Sequence, residues 1–194
     1  MNFQGLHFTG HSYHNSEEPL QSALALAGQD LLTLKHIFQL KLQPYTLVCL
    51  SACETGITST QDIIDEYVGL VSGFLAAGAA HVISTLWTVE EISSALLMIE
   101  FYALLRKPLP PAKALSEAQQ WLKSVTYQEL ITWYQNQAAD LARIDPACPI
   151  AEILETEAEI SQDYANEKGL DHQPYNHPFH WAGFTLTGKV PSES

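Results

Sequence analysis

The residues from Leu47 to Gly56 constrain the fold of this chain more than any other segment. They read Leu-Val-Cys-Leu-Ser-Ala-Cys-Glu-Thr-Gly, an apolar run that stops at a small residue, a cysteine and an acid. Such a run is typical of a strand buried on both faces of a parallel sheet, and the glycine after it indicates a tight turn. The turn would hold the Cys53 thiol at the carboxyl end of the strand, where open α/β proteins bind their ligands.

A second segment of the same form, Gly5 to His11, ends in a histidine. The carboxyl ends of parallel strands meet at one edge of a sheet, so His11 and Cys53 are candidates for a thiol–imidazole pair. The imidazole would serve as the acid and base that a cysteine nucleophile needs.

The apolar periodicity of the rest of the chain predicts strands and helices in alternation. The predicted helices begin at Asp30, Asp62, Glu90 and Pro111, and the predicted strands cover residues 5–10, 45–52, 81–86 and 177–186. The order strand, helix, strand, helix predicts an α/β fold with a mostly parallel sheet flanked by helices.

The segment from about 127 to 176 departs from this pattern because acidic residues are dense in it. Apolar residues still recur there at helical spacing, which predicts one or two partly exposed helices inserted before the last strand. Two interpretations of the insert stay open: a solvated acidic face, or a surface on which a partner docks.

Charge and cysteine content exclude several classes of function. The formal net charge is -13 with only 9 Lys and Arg, so a nucleic-acid surface is not expected. No apolar run approaches the roughly 20 residues of a membrane helix, and no signal peptide is evident. Three cysteines are too few for a disulfide framework, and a reducing cytoplasm suits a working thiolate. The string His7, His11, His14 suggests a metal site, but no acid follows at ligand spacing, so we expect neither a metal nor another cofactor.

Five sequence strings together carry a family resemblance. They are His7-Phe8-Thr9-Gly10-His11, Leu50 to Gly56, Gly69-Leu70 with Phe74 to Ala79, Ser84 to Trp87, and His177 to Phe184. In their order and approximate spacing, from residue 5 to residue 188, they resemble the CHAT domain. This caspase-like module belongs to the cysteine peptidase clan of caspases, gingipains and separases, and it often follows tetratricopeptide repeats.

The resemblance implies one three-layer, caspase-like domain over residues 1–194, with the acidic helical insert inside it. The family has further strands and helices upstream, so we expect the chain to be the C-terminal part of a longer protein, with tetratricopeptide repeats as candidate upstream partners. The resemblance also implies a cysteine endopeptidase that acts on a protein or peptide substrate. An alternative is a weak or inactive caspase-like module with an interaction or regulatory role.

By the same resemblance, His11 takes the position of the catalytic histidine and Cys53 that of the nucleophile. The backbone N–H groups of Cys53 and Ser12 would form the oxyanion hole, although the family has glycine where this chain has Ser12. Four acids are candidates for substrate binding, with a preference for a basic residue before the cleaved bond: Glu54, Asp65, Glu90 and Glu91.

Overall fold

The computed structural model describes residues 4–42, 46–52 and 60–188, with side chains for all of these except residues 4, 46, 52 and 60–67. Its contacts divide the chain into two compact units. One unit is Met1–Ala118 with Phe179–Ser194, and the other is Gln119–Pro178. We describe each unit by itself.

A four-stranded sheet forms the centre of the first unit. Its strands are β1 (Gln4–Gly10), β5 (Thr46–Ala52), β6 (His81–Thr85) and β7 (Phe184–Gly188), in the spatial order β1-β5-β6-β7. The first three run parallel, and β7 pairs with β6 in the antiparallel direction. The sheet is therefore mostly parallel, as the sequence predicts.

Four α-helices of the described residues lie wholly or partly in this unit. They are α1 (Leu34–Ile37), α2 (Thr60–Ala76), α3 (Glu91–Leu105) and α4 (Pro111–Ser124). Helix α2 connects the parallel strands β5 and β6. The predicted start of the second helix at Asp62 is wrong, because the helix already includes Thr60. The predicted starts of α3 and α4 at Glu90 and Pro111 agree with the structure to within one residue.

Alternate side chains of the parallel strands face two different helices. Val48, Leu50 and Val82 are buried in one cluster with Val71 and Phe74 of α2. Cys49 lies between Val48 and Leu50 on β5, so its side chain points to the opposite face, where the Tyr102 hydroxyl of α3 hydrogen bonds with its thiol. Helices thus lie on both faces of the sheet, which gives the three-layer α/β arrangement.

A small antiparallel sheet follows β1. Its strands are β2 (Ser12–Tyr13), β3 (Ala23–Ala25) and β4 (Leu31–Thr33), in the order β2-β3-β4. The prediction of a helix that starts at Asp30 is wrong at this point, because residues 31–33 pair with β3 instead. The Thr33 side chain caps the short helix α1 by accepting a hydrogen bond from the His36 N–H.

The second unit contains two long helices, α5 (Tyr127–Ile144) and α6 (Pro149–Lys168). A capping box begins α5: the Thr126 hydroxyl accepts from the Glu129 N–H, and the Glu129 carboxylate accepts from the Thr126 N–H. Among the described residues, no helix combines the length and hydropathy that a membrane crossing requires.

Candidate functional site

The register of β1 and β5 sets the geometry of the candidate site. The two strands pair in parallel from Gln4 with Thr46 to Gly10 with Ala52, without a bulge. His11 is the residue after Gly10, and Cys53 is the residue after Ala52. Cys53 and Glu54 lie outside the described residues. The predicted pair therefore follows two strand ends that lie level with each other.

His11 connects the main sheet to the small antiparallel sheet. Its side chain is exposed, and its carbonyl oxygen accepts a hydrogen bond of 2.9 Å from the Ala25 N–H of β3. In a trans peptide the C=O and the following N–H point in opposite directions, so the Ser12 N–H points away from β3. The Ser12 N–H is therefore not used in pairing with β3. A donor in an oxyanion hole must be left unpaired in this way.

Ser12 stands where the family resemblance implies a glycine. Its side chain is buried, and no described residue other than glycine has a positive φ. The backbone at Ser12 is therefore a conformation that any amino acid can adopt, so the substitution of serine for glycine causes no backbone strain here.

A cluster of polar side chains links the same two strands four residues before the candidate pair. His7 and Cys49 are register partners on β1 and β5, four residues before His11 and Cys53. The Tyr102 hydroxyl of α3 shares a hydrogen bond of 2.9 Å with His7 Nδ1, and it also bonds with the Cys49 thiol. One hydroxyl thus connects two strands and a helix.

Burial changes the acid–base behaviour of these groups. It raises the pKa of the Cys49 thiol to about 11, although the bond to Tyr102 acts in the opposite direction. Burial also lowers the pKa of His7, and it raises the pKa of Tyr102, with a further contribution from the thiol. At neutral pH Cys49 is a thiol and not a thiolate, so it is suited to packing and not to nucleophilic attack.

The segment after β6 is held against the C-terminal motif of the chain. The Trp87 indole N–H donates to the Phe179 carbonyl oxygen at 3.0 Å, and the Leu86 N–H donates to the Gly183 carbonyl oxygen at 2.9 Å. Gly183 lies so close to the Trp87 ring that a Cβ added there would be 2.8 Å from a ring carbon. These contacts assign Trp87 a structural role at the carboxyl edge of the sheet.

The candidate acids are placed differently from one another. Glu90 is the N-cap residue of α3, and its Oε2 lies 3.2 Å from His180 Nδ1, so the two form an ion pair whenever the imidazole is protonated. Glu91 is exposed in the first turn of α3, where a carboxylate favours the helix dipole. Asp65 lies on α2, and its side chain is among those not described.

The contact from Tyr102 to His7 and the contact from His180 to Glu90 were not predicted from the sequence. Each joins residues about ninety positions apart, and no local spacing indicates such a contact. In the described part of the chain, no group of three or more His, Cys, Asp or Glu side chains is arranged to hold a metal ion.

Comparison with known families identifies the domain. The family model of the CHAT domain matches residues 2–189 of the 194-residue chain. A search of the curated proteins gives no match. The chain belongs to the CHAT domain family.

Proposed function

We propose that this member of the CHAT domain family is a cysteine endopeptidase, with Cys53 as its nucleophile and His11 as its acid and base. The observation that carries the proposal is the pairing of Gly10 with Ala52. Consecutive Cα atoms are about 3.8 Å apart and neighbouring strands about 4.8 Å, so chain connectivity limits the Cα atoms of His11 and Cys53 to at most about 12 Å. Side chains at that separation can act on one substrate.

The reaction proceeds in two steps. The Cys53 thiolate attacks the carbonyl carbon of the scissile peptide, and the C–N bond breaks while the His11 imidazolium gives a proton to the leaving amine. Water, deprotonated by His11, then attacks the thioester, and the C–S bond breaks. This step releases the carboxylic acid and restores the Cys53 thiolate and the His11 imidazolium. The backbone N–H groups of Ser12 and Cys53 donate to the oxyanion in both steps.

The substrate is a protein or peptide with a basic residue before the scissile bond. In this proposal Glu54, Asp65, Glu90 and Glu91 bind that residue, because a carboxylate recognises a Lys or Arg side chain by charge and hydrogen bonding. His180 partly neutralises Glu90 when the imidazole is protonated. The proposed location is the cytoplasm, because a reducing compartment keeps the Cys53 thiol free. The proposed upstream neighbours in the full-length protein are tetratricopeptide repeats.

The test is covalent labelling with a peptidyl acyloxymethyl ketone that carries Lys or Arg next to the warhead. We expect one label on Cys53, lost in both Cys53→Ala and His11→Ala. Cys49→Ala is the matched control, since it removes the neighbouring thiol on the same strand and should leave the labelling intact. A Cys53 that reacts no faster than a thiol in an unfolded peptide would refute the peptidase and favour the alternative, an inactive interaction module.

A further inference from the structure

Helix α6 has an apolar stripe that its own unit covers only in part. Its small residues, among them Ala151, Ala158 and Ala165, are buried. Next to this buried face, Ile150, Ile153, Ile160 and Tyr164 are 56%, 58%, 42% and 48% exposed. A rotation of about 100° per residue places these four within roughly a quarter of the helix circumference. Single exposed apolar residues are ordinary, but these four form two exposed apolar pairs on one side of the helix, Ile150 with Ile153 and Ile160 with Tyr164.

The surroundings of the stripe are strongly acidic. Residues 119–178 contain ten Asp and Glu against three Lys and Arg, a formal charge of -7 out of the -13 of the whole chain. Glu157 falls within the stripe, and Asp163 and Glu167 lie beside it in the helix sequence. A partner that covers the stripe must therefore bring positive charge or leave these carboxylates without compensation.

The aromatic end of the stripe already holds a cation. The Lys168 ammonium lies 5.5 Å from the centre of the Tyr164 ring, which is within the range of a cation–π contact. The same ring stacks on Tyr127 with 6.1 Å between centroids. This end of the stripe accepts positive charge in the free protein.

We propose that α6 is the docking face for a basic amphipathic helix of a partner protein. The apolar side chains of that helix would cover the isoleucines, which stand at i, i+3 and i+10 counted from Ile150, and its Lys and Arg residues would face the flanking carboxylates. A second copy of this chain is a poor occupant, because residues 119–178 carry a formal charge of -7 in each copy and the two copies would repel each other.

The probe is a designed leucine–lysine peptide whose leucines form one helical stripe. A peptide of the same composition, with the leucines distributed around the helix, separates stripe recognition from simple charge attraction. Titration of the fluorescently labelled peptides with the full chain measures both affinities. We expect the striped peptide to bind at least about tenfold more tightly than the scrambled one.

Variants assign the preference to the stripe. Ile153→Ser with Ile160→Ser should remove it, and Glu157→Gln should weaken it. Ile144→Ser is the matched control, because Ile144 is 83% exposed at the end of α5, outside the stripe, and should leave the preference unchanged. Equal binding of the two peptides, or a preference that survives the double substitution, would overturn the proposal. So would a dimer in sedimentation that the double substitution abolishes, because the occupant would then be a second copy.

Discussion

The Tyr102 hydroxyl contacts side chains on two neighbouring strands. It bonds to a histidine on β1 and to a thiol on β5, and so it connects the two strands that precede the candidate catalytic residues. The two partners, His7 and Cys49, lie opposite each other in the parallel pairing of β1 and β5. Loss of this hydroxyl therefore affects two strands at once.

Tyr102→Phe should lower the free energy of unfolding by about 1 kcal/mol, because it removes two hydrogen bonds and leaves the ring in place. Urea unfolding followed by circular dichroism measures this loss. Tyr13→Phe, at an exposed position of β2, is the control and should change stability by less than about 0.5 kcal/mol. Equal effects of the two substitutions would show that the bonds of the Tyr102 hydroxyl contribute nothing net.

Cys49 should be chemically inert in the folded protein. It is 1% exposed, and burial raises its pKa to about 11, so at pH 8 only about one thiol in a thousand is ionised. Iodoacetamide should modify Cys148, which is partly exposed, well before Cys49. Mass spectrometry of the native and urea-unfolded protein gives the two rates, and rapid native modification of Cys49 would contradict this prediction.

His81 should make the fold sensitive to mild acid. Burial lowers its pKa below the ordinary 6.5, so both folded and unfolded chains hold it neutral above that pH. As the pH falls below about 6.5, the unfolded chain binds a proton that the folded chain refuses, and the free energy of unfolding decreases. In His81→Asn this decrease should be smaller between about pH 7 and pH 5. The exposed His36→Asn is the control, and an unchanged profile in His81→Asn would exclude this origin.

At the scale of elements, the sequence predicts best the segments that are buried on both faces. β5 and β6 read as apolar runs because helices cover both of their sides, and the alternation of strands and helices follows from the parallel connection. The strand Leu31–Thr33 was missed, since it has three residues and pairs with β3 in a small separate sheet. The apolar spacing of residues 31–33 fits an extension of the helix α1 as well as it fits a strand. The pairing with β3 decides between helix and strand.

The catalytic pair stays a prediction, because Cys53 lies outside the described residues, and only the strands that precede the pair can be compared with the sequence. The level ends of β1 and β5 follow from the two similar segments, whereas their residue-by-residue register does not. The bond between Tyr102 and His7 depends on how α3 lies across the sheet, which a pattern local in sequence does not encode. Glu90 was predicted as a substrate-binding acid, and its contact with His180 became visible only in the structure.

Two helix ends allow a controlled test of backbone packing. Gly78 and Gly169 follow α2 and α6 with φ values of 107° and 99°, so alanine is strained at both. A Cβ at Gly78 would also lie 2.7 Å from the Leu42 carbonyl oxygen, whereas nothing is within 4 Å of one at Gly169. Gly169→Ala should cost about 1 kcal/mol of stability, and Gly78→Ala at least about 1 kcal/mol more. Denaturant unfolding measures both, and equal losses would show that the chain near Leu42 moves aside without cost.

At the scale of the whole molecule, charge is the dominant feature. The net charge of -13 is concentrated in residues 119–178, where acids recur at helical spacing. Glu155 and Glu159 are one such pair, four residues apart on α6, and like charges at that spacing destabilise a helix by roughly 0.2–0.5 kcal/mol. The ion pair of Lys113 with Glu117 is exposed, and the contact of Arg143 with Asp140 also lies at the surface, so neither offsets much of this repulsion.

Added sodium chloride should therefore raise the melting temperature. At about 0.1 M salt the screening length falls to about 10 Å, which weakens the repulsion between separate carboxylates more than it weakens contacts at short range. We expect a rise on the order of a few degrees between low salt and about 0.2 M, measured by differential scanning calorimetry. The double substitution Glu155→Gln and Glu159→Gln should raise the melting temperature at low salt and reduce the response to salt. Thr156→Ser on the same helix changes no charge and should leave the response intact. A melting temperature that falls as salt is added would mean that ion pairs outweigh the repulsion between carboxylates. The acidic residues would then take part in a stabilising network. They would not be a source of repulsion that a basic partner relieves.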